Sequence, residues 1–215
     1  IVRESERLTA LIENVIDFDK LERSGQGIYE LAAGDEGDAV VRAANVYRYR
    51  AERENVRLVV DVDEDLPRAE IDERAIQLAV TNLVDNALKY APGEEIRVHV
   101  RTHEESVRVD VIDQGPGVPA EDRLRIFDRF VRLPQRPGKA GDAPVRGSGI
   151  GLALVKHIAE SHGGNAWVEA PPPSKDPGTA PKGSVFSFSI PMSRADGRAR
   201  GSTRLAKATA PVDGV

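Results

Sequence analysis

Two alternating runs of residues constrain the fold of this chain more than any other feature of its sequence. Residues 96–101 (IRVHVR) and 107–112 (VRVDVI) each place an apolar side chain at every second position, and a short polar turn at 104–106 joins them. Such alternation is typical of an antiparallel hairpin that buries one face and exposes the other. The buried face needs a covering layer, which the rest of the chain must supply.

Three helix-like segments lie around this hairpin and can form that layer. Residues 38–54 have helical character, and their candidate inner positions are Val41, Ala44, Val46, Tyr47 and Ala51. Asp72 predicts the N-cap of a second helix that runs to about Ala91, where Pro92 stops it. A third helix is expected at about 149–161. Further strands are expected at 28–32, 57–62, 166–169 and 184–190.

Charge and composition exclude several classes of protein. The formal net charge of -5 argues against a nucleic-acid-binding body, which would carry a basic face. The chain has no cysteine, which rules out disulfides, thiolate zinc sites and cysteine nucleophiles. No apolar run approaches the roughly 20 residues that span a bilayer, so we expect no membrane contact by this segment. Because the chain opens on IVRESERLTA without Met, we expect a fragment of a longer protein.

Four segments lie outside the regular α/β pattern. Residues 1–23 carry apolar residues seven positions apart, which predicts an amphipathic helix that pairs with another helix; packing on its own domain is the open alternative. Residues 131–147 form a long loop of the kind that is either functional or disordered, and residues 171–183 extend a hairpin. The basic tail at 193–215 lacks apolar periodicity and is expected to be disordered.

Two glycine-rich stretches are the strongest chemical signals in the chain. The first, DQGPGVP at 113–119, lets the backbone approach a flat or bulky group, with an ordinary turn as the alternative. The second, RGSGIGLAL at 146–154, opens a helix whose unpaired N–H groups suit phosphate oxygens, with Arg146 as a neighbouring cation. The chain contains no Walker loop, because Leu133 occupies the position of its first glycine. It contains no Rossmann fingerprint either, because Leu152 occupies the position of the third glycine.

The segment TNLVDNALKY at 81–90 places two amides, Asn82 and Asn86, one turn apart on a helix that is otherwise apolar on that side. A buried amide without partners costs on the order of 1–3 kcal/mol, so we expect both to find partners in a bound ligand or its waters. The alternative is that both amides bind neighbouring backbone. Between the glycine stretches, Phe127 and Phe130 are spaced as on one face of a short helix, either as core residues or as anchors of a mobile lid.

In this order the motifs resemble those of the catalytic ATP-binding domain of bacterial sensor histidine kinases, in the superfamily that includes type II topoisomerases, heat-shock chaperones and mismatch-repair ATPases. NLVDNALKYA resembles the asparagine box, DQGPGV the first glycine box, IFDRF the phenylalanine box and RGSGIGLAL the second glycine box. The resemblance covers residues 28–192. It implies an α/β fold of the α+β two-layer sandwich type: a mixed, mostly antiparallel sheet of about five strands with three helices on one face, preceded by a dimerisation helix at 1–23.

The resemblance also implies the ligands, ATP and Mg²⁺, and the residues that bind them. It assigns the side-chain oxygen of Asn86 to Mg²⁺, which prefers hard oxygen ligands, and assigns Asp113 to the exocyclic amine of adenine. Arg129 and Arg132 are expected as cations of the lid. The full set expected at the nucleotide is Asn82, Asn86, Lys89, Tyr90, Asp113, Gly115, Gly117, Val118, Arg146, Gly147, Ser148, Gly149, Ile150, Gly151, Leu152 and Ser184.

The implied reaction depends on the residue one turn before the magnesium asparagine. Hydrolases of the superfamily carry a glutamate there as general base, whereas this chain has Asn82, which cannot take a proton. We therefore expect transfer of the γ-phosphoryl to a histidine, which relies on positioning and electrostatic stabilisation. None of the 4 histidines lies in an acceptor motif like the family's, so the acceptor is expected outside this chain. An ATP-dependent interaction module without kinase chemistry and an ATP-hydrolysing machine are the alternatives.

The resemblance implies a two-component signalling setting. The expected partners are a second copy, paired through the N-terminal helix in the full protein, and a response regulator; a nucleic acid is not expected. The expected location is the cytoplasm, and whether the parent protein is anchored in the inner membrane stays open.

Overall fold

The computed structural model describes residues 29–92, 94–134, 148–172 and 182–193. The helix expected at 1–23 and the tail from 194 onward lie outside these residues, as do large parts of the two long loops. Within the described ranges, no helix is both long enough and apolar enough to cross a membrane.

A five-stranded sheet forms the centre of the domain. From one edge to the other its strands are β2 (Arg57–Val62), β4 (Glu95–His103), β5 (Ser106–Asp113), β7 (Ser184–Pro191) and β6 (Asn165–Glu169). β2 runs parallel to β4, and the other neighbouring strands of this sheet are antiparallel. The two alternating runs form the β4–β5 hairpin, in which Val100 pairs with Val109. The predicted mixed, mostly antiparallel sheet is confirmed.

The remaining elements surround this sheet. A separate antiparallel ribbon consists of β1 (Ala32–Gly34) and β3 (Ala69–Ile71), so the strand expected at 28–32 lies later than predicted. The α-helices of the described residues are α1 (Glu36–Val46), α2 (Arg48–Arg53), α3 (Glu73–Tyr90) and α4 (Gly151–Ser161). Short 3₁₀ turns lie at Ala120–Asp122 and Arg125–Phe127.

The single helix expected at 38–54 is instead two helices that meet at Tyr47. The Tyr47 N–H donates to the carbonyl of Ala44, three residues back, which closes α1 with a tighter turn. Ala44 and Ala51 are buried as expected, but Val46 is 76% exposed. The inner position predicted for Val46 is wrong, because the buried face of α1 ends at Ala44 and Val46 is the last residue before the break.

One face of the sheet carries the apolar core. The buried side chains of β4 and β5 on this face are Ile96, Val98, Val100, Val107, Val109 and Val111. They belong to one cluster with the inner faces of α1, α3 and α4, so the three helices predicted on one face are confirmed. In α3 the buried positions recur every three or four residues, as at Ile76, Val80 and Leu83. Burial of each such aliphatic side chain contributes about 1.5–3 kcal/mol.

The opposite face of the sheet is polar but closed to water at its centre. Asp110 is 2% exposed, and its Oδ1 accepts from Arg108 Nε and from Ser187 Oγ, each at 2.6 Å. Arg101 donates to the other carboxylate oxygen at 3.0 Å, and Arg108 also pairs with Glu169. Side chains from β4, β5, β7 and β6 are thus joined in one network across four adjacent strands.

Replacing Asp110 by Ala should lower the free energy of unfolding by about 3 kcal/mol, because the buried Arg108 guanidinium loses one of its two carboxylate partners and the Ser187 hydroxyl loses its acceptor. Asp61→Ala is the matched control. Asp61 also pairs with an arginine across strands, Arg97, but the two side chains are 46% and 47% exposed, so the expected loss is about 1 kcal/mol or less. Urea denaturation measures both variants. Equal losses of unfolding free energy in the two variants would contradict the larger contribution to stability expected of the buried network.

Candidate functional site

Helix α3 carries the two amides and begins at a well-formed cap. The Asp72 side chain accepts from the N–H groups of Arg74 and Ala75 at 3.0 and 3.1 Å, as the sequence predicts. The helix then continues for 18 residues, so Asn82 and Asn86 lie in its second half. Both asparagines are half-buried on the side of α3 that meets the start of α4.

Asn82 is held by the protein itself. Its Nδ2 donates to the carbonyl of Leu78, one turn earlier, at 2.8 Å. Its Oδ1 faces Gly151 so closely that a Cβ added to that glycine would lie 2.7 Å away. The expectation that both amides need a ligand is therefore wrong for Asn82, whose side chain fixes the start of α4 against α3. Its contact with a nucleotide stays a prediction.

Asn86 is in a different position. Its side chain makes no hydrogen bond to another residue in the described part of the chain. One turn on, Lys89 pairs with Asp85, which also accepts from Arg50 at 2.6 Å. Tyr90, at the end of the helix, is 41% exposed. Asn86 is thus the amide of the pair that has its hydrogen-bonding capacity available to a ligand.

The N-terminus of α4 lies beside Asn82 and suits an anion. Its N-cap residue, Ile150, provides no side-chain hydrogen bond, and the Ser148 hydroxyl accepts the Ile150 N–H at 3.3 Å. The first N–H groups of α4 therefore have no side-chain acceptor among the described residues. Such groups, together with the positive end of the helix dipole, bind phosphate oxygens in many proteins. Leu152 is half-buried behind this turn.

The phenylalanine segment does not form the predicted helix face. Phe127 is 5% exposed and packs with Ile126, Val118 and Leu152, whereas Phe130 is 71% exposed. The 3₁₀ turn ends at Phe127, and Phe130 has the left-handed φ of 62°. The predicted shared face is wrong because the backbone of this segment is held by a distant glycine.

That glycine is Gly149, whose carbonyl accepts from the Phe130 N–H at 2.9 Å. Gly149 has a φ of +72°, and a Cβ there would lie 2.9 Å from the Phe130 backbone. Both the conformation and the close approach require glycine. The phenylalanine segment and the second glycine stretch are therefore in direct backbone contact.

The first glycine stretch surrounds a buried carboxylate. Asp113, at the end of β5, is 5% exposed, and its Oδ1 accepts from the Gly115 N–H at 2.7 Å. Burial raises the pKa of the Asp113 carboxyl, and backbone hydrogen bonds from Gly115 and Ser184 offset part of that rise. A Cβ at Gly115 would lie 2.9 Å from the carbonyl of Tyr90, so this turn lies against the end of α3.

Gly183 belongs to the same group of residues, although the sequence did not single it out. Its φ is +101°, and a Cβ there would lie 1.8 Å from the Asp113 carbonyl. Gly117, with a φ of +77°, faces the Gly183 carbonyl. The neighbouring Ser184 is 2% exposed and pairs with Asp113 in the β5–β7 register. The Gly-Ser pair ahead of the SVFSFSI strand was the available signal.

The predicted residues thus form two groups joined by the second half of α3. One group lies at Asn82 and Gly151 and the other around Asp113, next to Tyr90. Arg146 and Gly147 lie outside the described residues, and Arg129 and Arg132 are on the surface. In the described ranges, no three His, Cys, Asp or Glu side chains come together as a metal site. An ion at Asn86 would therefore need further ligands from a bound molecule.

Residues 71–194 match the family model described as histidine kinase-, DNA gyrase B-, and HSP90-like ATPase. The chain is 36% identical over 146 residues to the adaptive-response sensory kinase SasA of Synechococcus sp. strain CC9311, which covers 67% of the chain and 35% of that kinase. It is 31% identical over 194 residues to the sensor-like histidine kinase SenX3 of Mycolicibacterium smegmatis, covering 89% of the chain and 46% of SenX3. The chain therefore spans less than half the length of these curated relatives.

Two solved structures are similar. Full-length ShkA in complex with AMPPNP matches 89% of the chain and 37% of its own, with a TM-score of 0.70 and 26% identity. The mycobacterial sensor histidine kinase MprB matches 77% of the chain and 98% of its own, with a TM-score of 0.59 and 28% identity. Both carry the sandwich described above.

Substituting Gly149 by Ala should release the phenylalanine segment. We expect exchange of the Phe130 amide to accelerate by about tenfold or more, because the added Cβ displaces its hydrogen-bond acceptor. Gly163→Ala is the control, since Gly163 has a similar φ of +79° but its Cβ would only touch Pro191 at 3.6 Å. Hydrogen exchange followed by NMR measures both. Unchanged Phe130 exchange in Gly149→Ala would contradict the contact.

Proposed function

Because this chain belongs to the family of histidine kinase-, DNA gyrase B- and HSP90-like ATPases, and is the ATP-binding catalytic part of a sensor histidine kinase, we propose that it binds ATP with Mg²⁺ along α3 and directs the γ-phosphoryl to a histidine elsewhere. The observation that carries this proposal is the position of Asn86. It lies between the anion-binding end of α4 and the buried Asp113 turn, and its amide is not used by the described part of the protein.

The two ends of the proposed site have opposite chemistry. At one end, backbone N–H groups at the start of α4 face the phosphates, and Arg146 and Gly147 are proposed to join them. At the other end, Asp113 accepts from the exocyclic amine of adenine, with Gly115, Gly117 and Ser184 around it. The two ends are separated by about 12 Å along α3, since Tyr90 lies eight steps of 1.5 Å beyond Asn82.

Asn86 is the proposed protein ligand of Mg²⁺. An uncharged amide oxygen fits this ion, which keeps several waters and takes its remaining ligands from phosphates. When bound, Mg²⁺ neutralises phosphate charge. Lys89, whose ammonium pairs with Asp85, is proposed to face the phosphates.

Hydrolysis is disfavoured by the groups around Asn86. Asn82 cannot act as a base, because an amide does not take a proton from water; its Nδ2 donates to the Leu78 carbonyl, and its Oδ1 lies close to Gly151. The nearby carboxylate on the same helix, Asp85, is held by Lys89 and Arg50. Without a base to activate water, the γ-phosphoryl is kept for a stronger nucleophile.

The phosphoryl acceptor is proposed to be a histidine on a dimerisation helix that this chain does not contain. His99 pairs with Asp63 at the surface of the sheet, and His162 is buried. We further propose a second copy, paired through residues 1–23, and a response regulator as partners, and a cytoplasmic location. The competing function is a module that responds to ATP without transferring a phosphoryl group.

Asn86→Ala should abolish the magnesium-dependent part of ATP binding, with a loss of at least about tenfold in affinity, because the variant removes the ion's protein ligand. Titration calorimetry with ATP in Mg²⁺ and in EDTA measures it. Asn45→Ala is the matched control, since Asn45 is an exposed asparagine of α1 whose side chain accepts from Arg48. Wild-type affinity of Asn86→Ala in Mg²⁺ would contradict the assignment.

The chain should phosphorylate a separately supplied acceptor helix from a sensor histidine kinase, and should release little free phosphate when no acceptor is present. Radiolabelled γ-phosphate on the acceptor and a steady-state phosphate-release assay measure the two reactions. Asn82→Glu tests whether a base alone restores hydrolysis. Tight ATP binding without transfer to any acceptor would favour the interaction module, and rapid phosphate release by the wild type would favour a hydrolase.

A further inference from the structure

His162, the residue that follows α4, is buried and uses both ring nitrogens. Nδ1 lies 2.7 Å from the carbonyl of Ile158, and Nε2 lies 3.0 Å from the backbone nitrogen of Asp72. A carbonyl can only accept and a backbone N–H can only donate. The imidazole must therefore carry its proton on Nδ1 and leave Nε2 bare, which is the neutral form. A proton on Nε2 would set two N–H groups against each other.

The bond from Asp72 matters because this residue joins three segments. Its side chain caps α3, and its second carboxylate oxygen accepts from the Glu30 N–H at 3.3 Å. Its own N–H is the group that His162 accepts. The segment at Glu30, the start of α3 and the end of α4 therefore meet at Asp72.

Several titratable groups face His162. Asp72 comes from the start of α3, Tyr29 packs its ring 5.1 Å from the imidazole, and Glu70 of β3 lines the same surface depression. On its own helix, His157 packs on the far side of Tyr29, with a ring separation of 6.3 Å. Burial lowers the pKa of His162 from its ordinary 6.5, and the Ile158 carbonyl and the Asp72 charge offset only part of that effect.

We propose that His162 is a proton-operated lock on the start of α3: the neutral ring holds the Asp72 cap, and its protonation in mild acid releases the cap and weakens nucleotide binding. The sign follows from linkage. The folded protein binds fewer protons at this site than the unfolded chain, so the lock is complete above pH 6.5, the ordinary value, and is lost as the pH falls through the lower folded value.

The lock acts on the nucleotide through the helix pair. α3 runs from Asp72 towards Asn86, about 20 Å away, and α4 runs back from Gly151 to His162. Freeing one end lets the two helices move relative to each other at the Asn82–Gly151 contact. His162 is in this sense a positioning residue, and the inference rests on the proposed ATP binding.

The protonation of His162 and its effect on Asp72 can be measured in the full chain without nucleotide. We expect ¹⁵N NMR to show the Nδ1–H form of His162 at pH 7.5 and titration below 6.5. Exchange of the Asp72 amide, corrected for its intrinsic pH dependence, should accelerate by about threefold to tenfold between pH 7.5 and 5.0. Titration of His162 at or above its ordinary value, or pH-independent Asp72 protection, would overturn the proposal.

The link to the nucleotide is tested with His162→Gln, in which the amide oxygen can accept from Asp72 but never takes a proton. ATP affinity is measured at pH 7.5 and 5.0, and His103→Gln, an exposed histidine of β4, is the control. We expect the wild type and His103→Gln to lose about threefold to tenfold more affinity in acid than His162→Gln does. The ionisation of ATP and Mg²⁺ is common to all three proteins and cancels in this comparison.

If His162→Gln and the wild type lose equal ATP affinity between pH 7.5 and 5.0, the coupling is overturned. It is also overturned if His103→Gln no longer shows the larger loss of affinity in acid. If His162→Gln does not fold, the NMR titration and the Asp72 exchange of the wild type decide the lock alone. Failure of the wild type to bind ATP at pH 7.5 would refute the proposed function and leave those two measurements of the lock intact.

Discussion

The close approach of Gly151 to Asn82 is the constraint on which the arrangement of the site depends. A Cβ at position 151 would lie 2.7 Å from the Asn82 amide oxygen, so a larger residue there requires this amide to move. The amide is itself fixed by its bond to Leu78, so it sets how near α4 can lie to α3. The N–H groups at the start of α4 consequently lie next to the polar side of α3. On that side Asn86 is the amide whose hydrogen-bonding groups are available to a ligand.

The other end of the site depends on the sheet. Asp113 can be buried because Gly115 and Ser184 supply N–H donors to its carboxylate, and Gly183 lets β7 pass against its carbonyl. Three residues earlier on the same strand, Asp110 bonds Ser187 of β7. The buried polar network on the face of the sheet opposite the apolar core therefore supports the β5–β7 register that places Asp113 and Ser184 side by side.

Local signals in the sequence predicted the elements well and their long-range contacts poorly. The cap at Asp72 and the alternation of the hairpin appear in the structure because each is determined by neighbouring residues. The break at Tyr47 was missed because both flanking segments have helical composition. The left-handed Phe130 and the His162–Asp72 bond depend on residues distant in sequence, which no local pattern reveals.

The structure also shows a second consequence of having Asn82 at the position where hydrolases of the superfamily carry a glutamate. A carboxylate at position 82 could not donate to the Leu78 carbonyl, which the Asn82 Nδ2 now binds, and would set two oxygens against each other. Its charge would also compete with phosphate for the positive end of α4. Asparagine at this position therefore has two effects: it cannot act as a general base, and its side chain lies where α3 meets the start of α4 in the candidate site. The proposed preference for transfer over hydrolysis and the packing of α3 on α4 both depend on this amide.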